Sequence, residues 1–203
     1  MKKLKEILFK VNINSVYGDT DLAIKKITFD SRNVDNNTLF VAIKGYKIDG
    51  HNFIDQSLKR GASVIVCEKL PENFKNNNSV YICVNCSKSA LSIIAANFYD
   101  NPSLKIDLIG VTGTNGKTTI SSLLHKLYND LDIKSGLVST INIEYDDFIE
   151  TSKNTTPDPI TLNYHLSKMI ERDVQVCFIE VSSHGIFQKR VNGLDFKGMI
   201  FTN

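Results

Sequence analysis

The sequence predicts an α/β protein. It has a small α/β domain over residues 1–103, then the first part of a P-loop, mostly parallel-sheet domain over 104–203. Three observations predict this. Short apolar runs of strand character alternate with stretches of helical periodicity, the pattern of parallel sheets. A polar break, Asp100-Asn-Pro-Ser103, divides the alternation in two. In the second half a glycine-rich turn joins one apolar run to one helical stretch.

Residues 27–29, 38–43, 63–67 and 80–84 read as strands, being rich in β-branched and aliphatic side chains. Between them, 53–60 reads as a short helix closed by Gly61. Residues 73–79 read as a polar surface loop. The stretch 87–99 repeats Ala90, Leu91, Ile94, Ala95 and Phe98 on one helical face. Beyond the break, strands are predicted at 106–111, 136–140, 175–181 and 198–202, and helices at 118–131 and 157–172. The first of these helices carries Ile120, Leu123, Leu124, Leu127 and Leu131 at helix spacing. The second is predicted to start with Thr156 as N-cap, Pro157 at its first position and Asp158 in its first turn. Its apolar face is Leu162, Leu166, Met169 and Ile170. Parallel strands need crossovers, yet the chain stops at Asn203 just after a strand. It is therefore expected to be a fragment of a longer protein.

Charge is nearly balanced, with 24 Lys+Arg against 22 Asp+Glu. That offers no electrostatic footprint for nucleic acid or an anionic membrane, and neither partner is expected. No uninterrupted apolar stretch is long enough to span a bilayer, and Ile7-Leu-Phe9 is too short for a signal-peptide core. A cytoplasmic, monomeric protein is expected. Of the four cysteines, Cys83 and Cys86 form a C-x-x-C. With no second such pair to complete a zinc set, small buried cysteines in a reducing compartment are the simpler reading.

The chemistry concentrates in Leu108-Ile-Gly-Val-Thr-Gly-Thr-Asn-Gly-Lys-Thr-Thr119. Glycines let backbone N–H groups approach an anion, and the following helix adds the positive end of its dipole. Gly113, Thr114, Asn115, Gly116, Lys117, Thr118 and Thr119 would cradle nucleotide phosphates. Lys117 would reach the β- and γ-phosphates and the Thr118 hydroxyl would hold Mg²⁺. The commonest P-loop places a glycine where Val111 stands, so this is a variant loop. A second constellation is the strand end Cys177-Phe-Ile-Glu-Val-Ser-Ser-His184, where Glu180 stands where a P-loop enzyme places a Mg²⁺-side carboxylate, and where an N-cap cluster for the next segment is the alternative reading. Lys153-Asn-Thr-Thr-Pro-Asp-Pro159 is a capped helix start that could also dock an anion. Phe29-Asp-Ser-Arg32 follows a strand, and an Asx-type turn explains it equally well.

These strings together resemble the Mur ligases, the ATP-dependent amino-acid ligases of peptidoglycan precursor synthesis. The matching strings are Phe29-Asp-Ser-Arg32, Leu39-Phe-Val-Ala42, Asp49-Gly-His-Asn-Phe53, Thr112 to Thr119, Asn154-Thr-Thr-Pro157 and Glu180-Val-Ser-Ser-His-Gly185 with Gln188 and Arg190. They stand in family order over nearly the whole chain. The likeness is greatest to the branch acting on UDP-MurNAc-L-Ala-D-Glu. It implies a UDP-sugar-binding domain at 1–103 and an incomplete ATP-binding domain at 104–203. Phe29 and Ser31 would sit at the uridine end of the substrate. Tyr46, Lys47 and Ile48 would form a loop over that end, although these three differ from the residues of other members. Asn154, Thr155, Thr156, Ser182, Gln188 and Arg190 would hold the sugar-peptide portion. Thr118 and Glu180 would serve Mg²⁺, Lys117 and Glu180 the chemistry, and His184 would support the site.

The implied reaction adds meso-diaminopimelate or L-lysine to the dipeptide carboxylate through an acyl phosphate, with ATP and Mg²⁺ as cofactors. The 203-residue chain by itself is expected not to complete it. Other readings are a tripeptide-adding ligase, a folylpolyglutamate synthase-like ligase, a non-catalytic UDP-sugar-binding fragment, or a generic P-loop NTPase. The last leaves the first half of the chain unexplained.

Overall fold

The computed structural model describes the whole chain except Tyr46, Lys47, Glu72, Asn73, Lys75, Asn76, Asn77 and Asn78. Two of the loop residues predicted over the uridine end, and most of the polar loop at 73–79, therefore lie outside the described residues. The chain divides into two compact units, Met1–Phe98 and Tyr99–Asn203.

The first unit begins with β1 (Lys2–Lys3) and α1 (Leu4–Ile7), followed by β2 (Ile13–Tyr17), β3 (Ala23–Ile24), β4 (Lys26–Thr28) and β5 (Thr38–Val41). It continues with α2 (Ile54–Lys59), β6 (Ala62–Cys67), β7 (Val80–Val84) and α3 (Ser87–Phe98). Its main sheet runs β2-β7-β6-β5-β4, parallel except for antiparallel β2 at the edge. Phe40, Ile65 and Tyr81 centre its core. Strands β5, β6 and β7 are almost wholly buried, which is why they read as continuous apolar runs. Cys67 lies opposite Cys83 on adjacent strands, and both thiols are buried and free. Burial, with Cys83 beside it, pushes the Cys67 thiol up to about 12. These cysteines behave as small core residues.

The second unit contains β8 (Asp107–Thr112), α4 (Lys117–Asp130), β9 (Ser135–Val138), β10 (Asn142–Tyr145) and β11 (Phe148–Thr151). Then come α5 (Pro159–Glu171), β12 (Val176–Glu180), α6 (Ser183–Phe187) and β13 (Gly198–Phe201). The sheet order is β11-β10-β9-β12-β8-β13. Strands β9, β12, β8 and β13 are parallel, and the β10–β11 hairpin adds an antiparallel edge. Alternate residues of β12 serve opposite faces. Cys177 and Ile179 pack with Leu162, Leu166 and Met169 of α5. Val176 and Phe178 pack with Leu124 and Tyr128 of α4. Among the described residues no helix is long and apolar enough to cross a membrane.

Two local expectations change. Helix α5 is capped by Asp158, whose carboxylate accepts the amides of Ile160 and Thr161, with Pro159 as the first helical residue. Thr156 is not the cap, because its hydroxyl is engaged by β12 instead. On α4, Leu123, Leu127 and Leu131 are 62%, 50% and 60% exposed, while Leu124 and Tyr128 turn to the sheet. Of the leucines at helix spacing on this helix, Leu124 is the one that packs on the sheet.

Candidate active site

The phosphate-type loop leaves β8 after Thr112 and enters α4 at Lys117. Its two glycines are required by geometry. Gly113 has φ +137° and a Cβ there would lie 2.1 Å from Thr202 Oγ1. Gly116, at φ +82°, occupies the left-handed conformation at the N-cap of α4. The loop amides of Thr114 and Asn115 both point at one oxygen, Asn203 Oδ1, each at 3.0 Å. Two successive amides converging on one acceptor form an anion nest. Lys117 Nζ donates to the carbonyls of Gly113 at 2.7 Å and Thr114 at 3.1 Å, so its charge already lies over the loop. The adjoining Thr118 and Thr119 complete the first turn of α4.

Glu180 ends β12 in register with Val111 of β8, so carboxylate and loop leave neighbouring strands at the same level. Strand alternation puts Glu180 on the face of Phe178, the face that α4 covers. The residue is fully buried, and none of the ion pairs among the described residues includes it. Its oxygens accept the Thr140 amide at 2.9 Å and the Thr140 hydroxyl at 2.9 Å. A buried carboxylate without a cationic partner is costly, and a hard divalent cation would compensate it. Among the described residues no group of three or more His, Cys, Asp or Glu could hold a metal alone. Mg²⁺ needs none, since it usually takes one or two carboxylates and substrate phosphates. The Thr118 hydroxyl on the first turn of α4 and the Glu180 carboxylate are hard oxygen donors of the kind Mg²⁺ takes.

Beside Glu180 opens a cavity of about 450 Å³ lined by Thr140, Lys153, Asn154, Thr155, Thr156, Ser182, His184, Gln188 and Arg190. All six residues expected to hold the sugar-peptide portion line it. Buried Thr156 ties its two sides together. Its hydroxyl donates to the Glu180 carbonyl at 2.8 Å, lies 3.2 Å from Ser182 Oγ and accepts the Ser182 amide at 3.0 Å. Ser182 caps α6 through the Gly185 amide. Arg190 donates twice to Gln188 Oε1 and once to the Thr156 carbonyl, which leaves two of the five guanidinium N–H donors for a ligand. Lys153 and Arg190 make this wall cationic. His184 is exposed at the rim.

In the first unit, Phe29 and Ser31 follow the carboxyl end of β4. Phe29 is 41% exposed, whereas Ser31 is buried. The Ser31 carbonyl accepts Arg60 at 2.9 Å, and its hydroxyl lies 3.5 Å from Gln56 Oε1. Asp30 caps this turn, and the Arg32 side chain bonded to it holds its carboxyl below the usual range. A cavity of about 570 Å³ in the same unit is walled by Lys44, Asp49, His51, Asp55, Glu68 and Lys69 among others, not by Phe29 or Ser31. There His51 bonds Asp49 at 2.6 Å and accepts the Glu68 amide at 2.9 Å.

Sequence reasoning passed over Thr140 and Asn203. Both follow strands of the parallel set at their carboxyl ends, and that position was the available signal.

A family profile described as Mur ligase middle domain matches residues 111–203, and one described as Mur ligase family, catalytic domain, matches 23–99. The chain belongs to the Mur ligase family. Among curated relatives, it is similar to the UDP-N-acetylmuramoyl-L-alanyl-D-glutamate--2,6-diaminopimelate ligase of Cytophaga hutchinsonii, at 44% identity over 99% of this chain and 41% of that protein. The protein of the same name from Bacteroides fragilis is 45% identical, again over 99% of this chain and 41% of the relative. A solved structure of a UDP-N-acetylmuramoyl-L-alanyl-D-glutamate--2,6-diaminopimelate ligase has a TM-score of 0.78 at 23% identity, covering 100% of this chain and 40% of that one. At that identity the likeness is one of fold. This Mur ligase chain spans about two fifths of the length of the curated relatives it matches.

Proposed function

We propose that this chain is the nucleotide-handling part of an ATP-dependent ligase that adds meso-diaminopimelate to UDP-MurNAc-L-Ala-D-Glu. In this reading the first unit binds the UDP end of the substrate and the second binds ATP. The supporting observation is the shared end of one parallel sheet. An anion nest at Thr114 and Asn115 and a cation-walled cavity at Lys153 and Arg190 flank one buried carboxylate, Glu180. A phosphoryl donor and an anionic acceptor could meet there. The choice of diaminopimelate follows the names of the relatives. A cytoplasmic, monomeric protein belongs to the same reading.

The roles follow from charge. The acceptor carboxylate attacks the γ-phosphorus of ATP, the bond to the β–γ bridging oxygen breaks, and ADP leaves. The incoming amine then attacks the acyl carbon, and phosphate and a proton depart as the amide forms. Lys117 and the Thr114 and Asn115 amides would stabilise charge on the transferring oxygens. Thr118 and Glu180 would hold Mg²⁺, which would supply further charge neutralisation. Arg190, held by Gln188, would orient the anionic acceptor with Asn154, Thr155 and Ser182. Exposed His184 at the rim would support binding rather than take a chemical step.

A phosphate-release assay on the protein at its relatives' full length tests the reading. Release is expected only with ATP, UDP-MurNAc-L-Ala-D-Glu and meso-diaminopimelate together. Equal turnover with L-lysine would contradict the amino-acid assignment. Turnover without the UDP-sugar would contradict the reading itself.

A further inference from the structure

We infer that Thr140 is a positioning residue that aims the Glu180 carboxylate and joins it to the sugar-peptide cavity through Thr155. The inference rests on the reading of Glu180 as the Mg²⁺-side carboxylate.

Thr140 holds Glu180 at two points. Its amide reaches Oε1 and its hydroxyl reaches Oε2, both at 2.9 Å, so the plane of the carboxylate is fixed. A carboxylate has about four lone-pair sites, so each oxygen keeps a site for a cation. The clamp itself is rigid. The buried Ser139 hydroxyl accepts the Ile141 amide at 3.2 Å and the Asn142 amide at 3.1 Å and donates to the Asn142 carbonyl at 2.9 Å. This pins the turn that presents Thr140.

The same hydroxyl lies 3.1 Å from Thr155 Oγ1. Thr140 has one hydroxyl proton, and an ionised carboxylate only accepts. That proton lies within reach of both Glu180 Oε2 and Thr155 Oγ1, so Thr140 touches the carboxylate and the cavity wall at once. Contacts therefore run from the cavity wall at Thr155 through Thr140 to Glu180. Partners that orient metal-binding carboxylates commonly set metal affinity without touching the metal.

Calorimetric titration of the 203-residue chain with ATP, in Mg²⁺ and separately in EDTA, tests this. Thr140→Val keeps the amide and removes the hydroxyl. It is expected to lower ATP affinity about tenfold in Mg²⁺ while changing it less than about twofold in EDTA. Thr140→Ser is expected to restore the Mg²⁺ value. In a Glu180→Gln background, Thr140→Val is expected to add nothing. A purely structural role would shift both titrations alike. That result, or an unchanged Mg²⁺ dependence in Thr140→Val, would overturn the inference and leave the phosphate site standing. A wild-type chain that binds ATP equally with and without Mg²⁺ would instead overturn the reading of Glu180, and this inference with it.

Discussion

Lys117 illustrates how a single residue carries the phosphate reading. Its ammonium is held by the carbonyls of Gly113 and Thr114, so the loop and its charge form one unit. Lys117→Ala should weaken ATP binding by about 2 kcal/mol, the scale of a charge-assisted hydrogen bond. It should leave UDP-sugar affinity unchanged in parallel titrations, and unchanged ATP affinity would remove the phosphate assignment. Gly113→Ala should act through shape, because its Cβ meets Thr202 Oγ1 at 2.1 Å in a backbone conformation that alanine resists. Loss of ATP binding with a retained circular dichroism spectrum is the expected signature. At this scale much was legible in the sequence. Glycine spacing marked Gly113 and Gly116, and the strand end marked Glu180. Thr140 was passed over because the sequence puts it inside a strand predicted at 136–140, whereas β9 ends at Val138 and leaves Thr140 at the strand's carboxyl end.

At the scale of elements, capping and periodicity decided what could be read. Buried parallel strands such as Val80–Val84 stand out as unbroken apolar runs. The β10–β11 hairpin was missed because Asn142-Ile-Glu-Tyr145 mixes polar and apolar residues, and its turn runs through Asp146 at φ +50° rather than through glycine. Edge strand Ile13–Tyr17 was missed for a related reason, since it is only partly buried. The start of α5 moved because Asp158-Pro159 offers a better cap and first residue than Thr156-Pro157 once the Thr156 hydroxyl is bound to β12. Asp158→Ala should therefore cost about 1 kcal/mol of stability in urea unfolding. Thr156→Val should instead reduce affinity for the UDP-sugar peptide, because Thr156 ties Glu180 to Ser182. Equal stability loss with unchanged affinity would contradict that division of roles.

For the molecule as a whole, acid sensitivity follows from two imidazoles, buried His165 and half-buried His125. Burial pushes His125 and His165 below the ordinary 6.5, with Glu144 and Glu150 pulling partly back. The unfolded chain then binds more protons than the folded one as pH falls below about 6.5. Stability contributed by the neutral rings is complete above that pH and is lost below it. The melting temperature should be flat from about pH 8 to 7 and fall toward pH 5. His165→Gln should flatten part of that fall, and an unchanged slope in this variant would exclude His165 as a source. The structure divides between Phe98 and Tyr99, whereas the sequence places its boundary after the polar break Asp100-Asn-Pro-Ser103. The exposure of Leu123, Leu127 and Leu131 on α4 was not legible, because periodicity reports a helix but not which of its leucines meet the sheet. The central claim is that one chain holds a nucleotide-phosphate site and a UDP-sugar-peptide site, and calorimetry of the 203-residue chain with ATP and with UDP-MurNAc-L-Ala-D-Glu tests it most directly. Saturable binding of both, with ATP binding dependent on Mg²⁺ and on Lys117, is the predicted result. Binding of the UDP-sugar alone, with no heat from ATP in Mg²⁺, would contradict it.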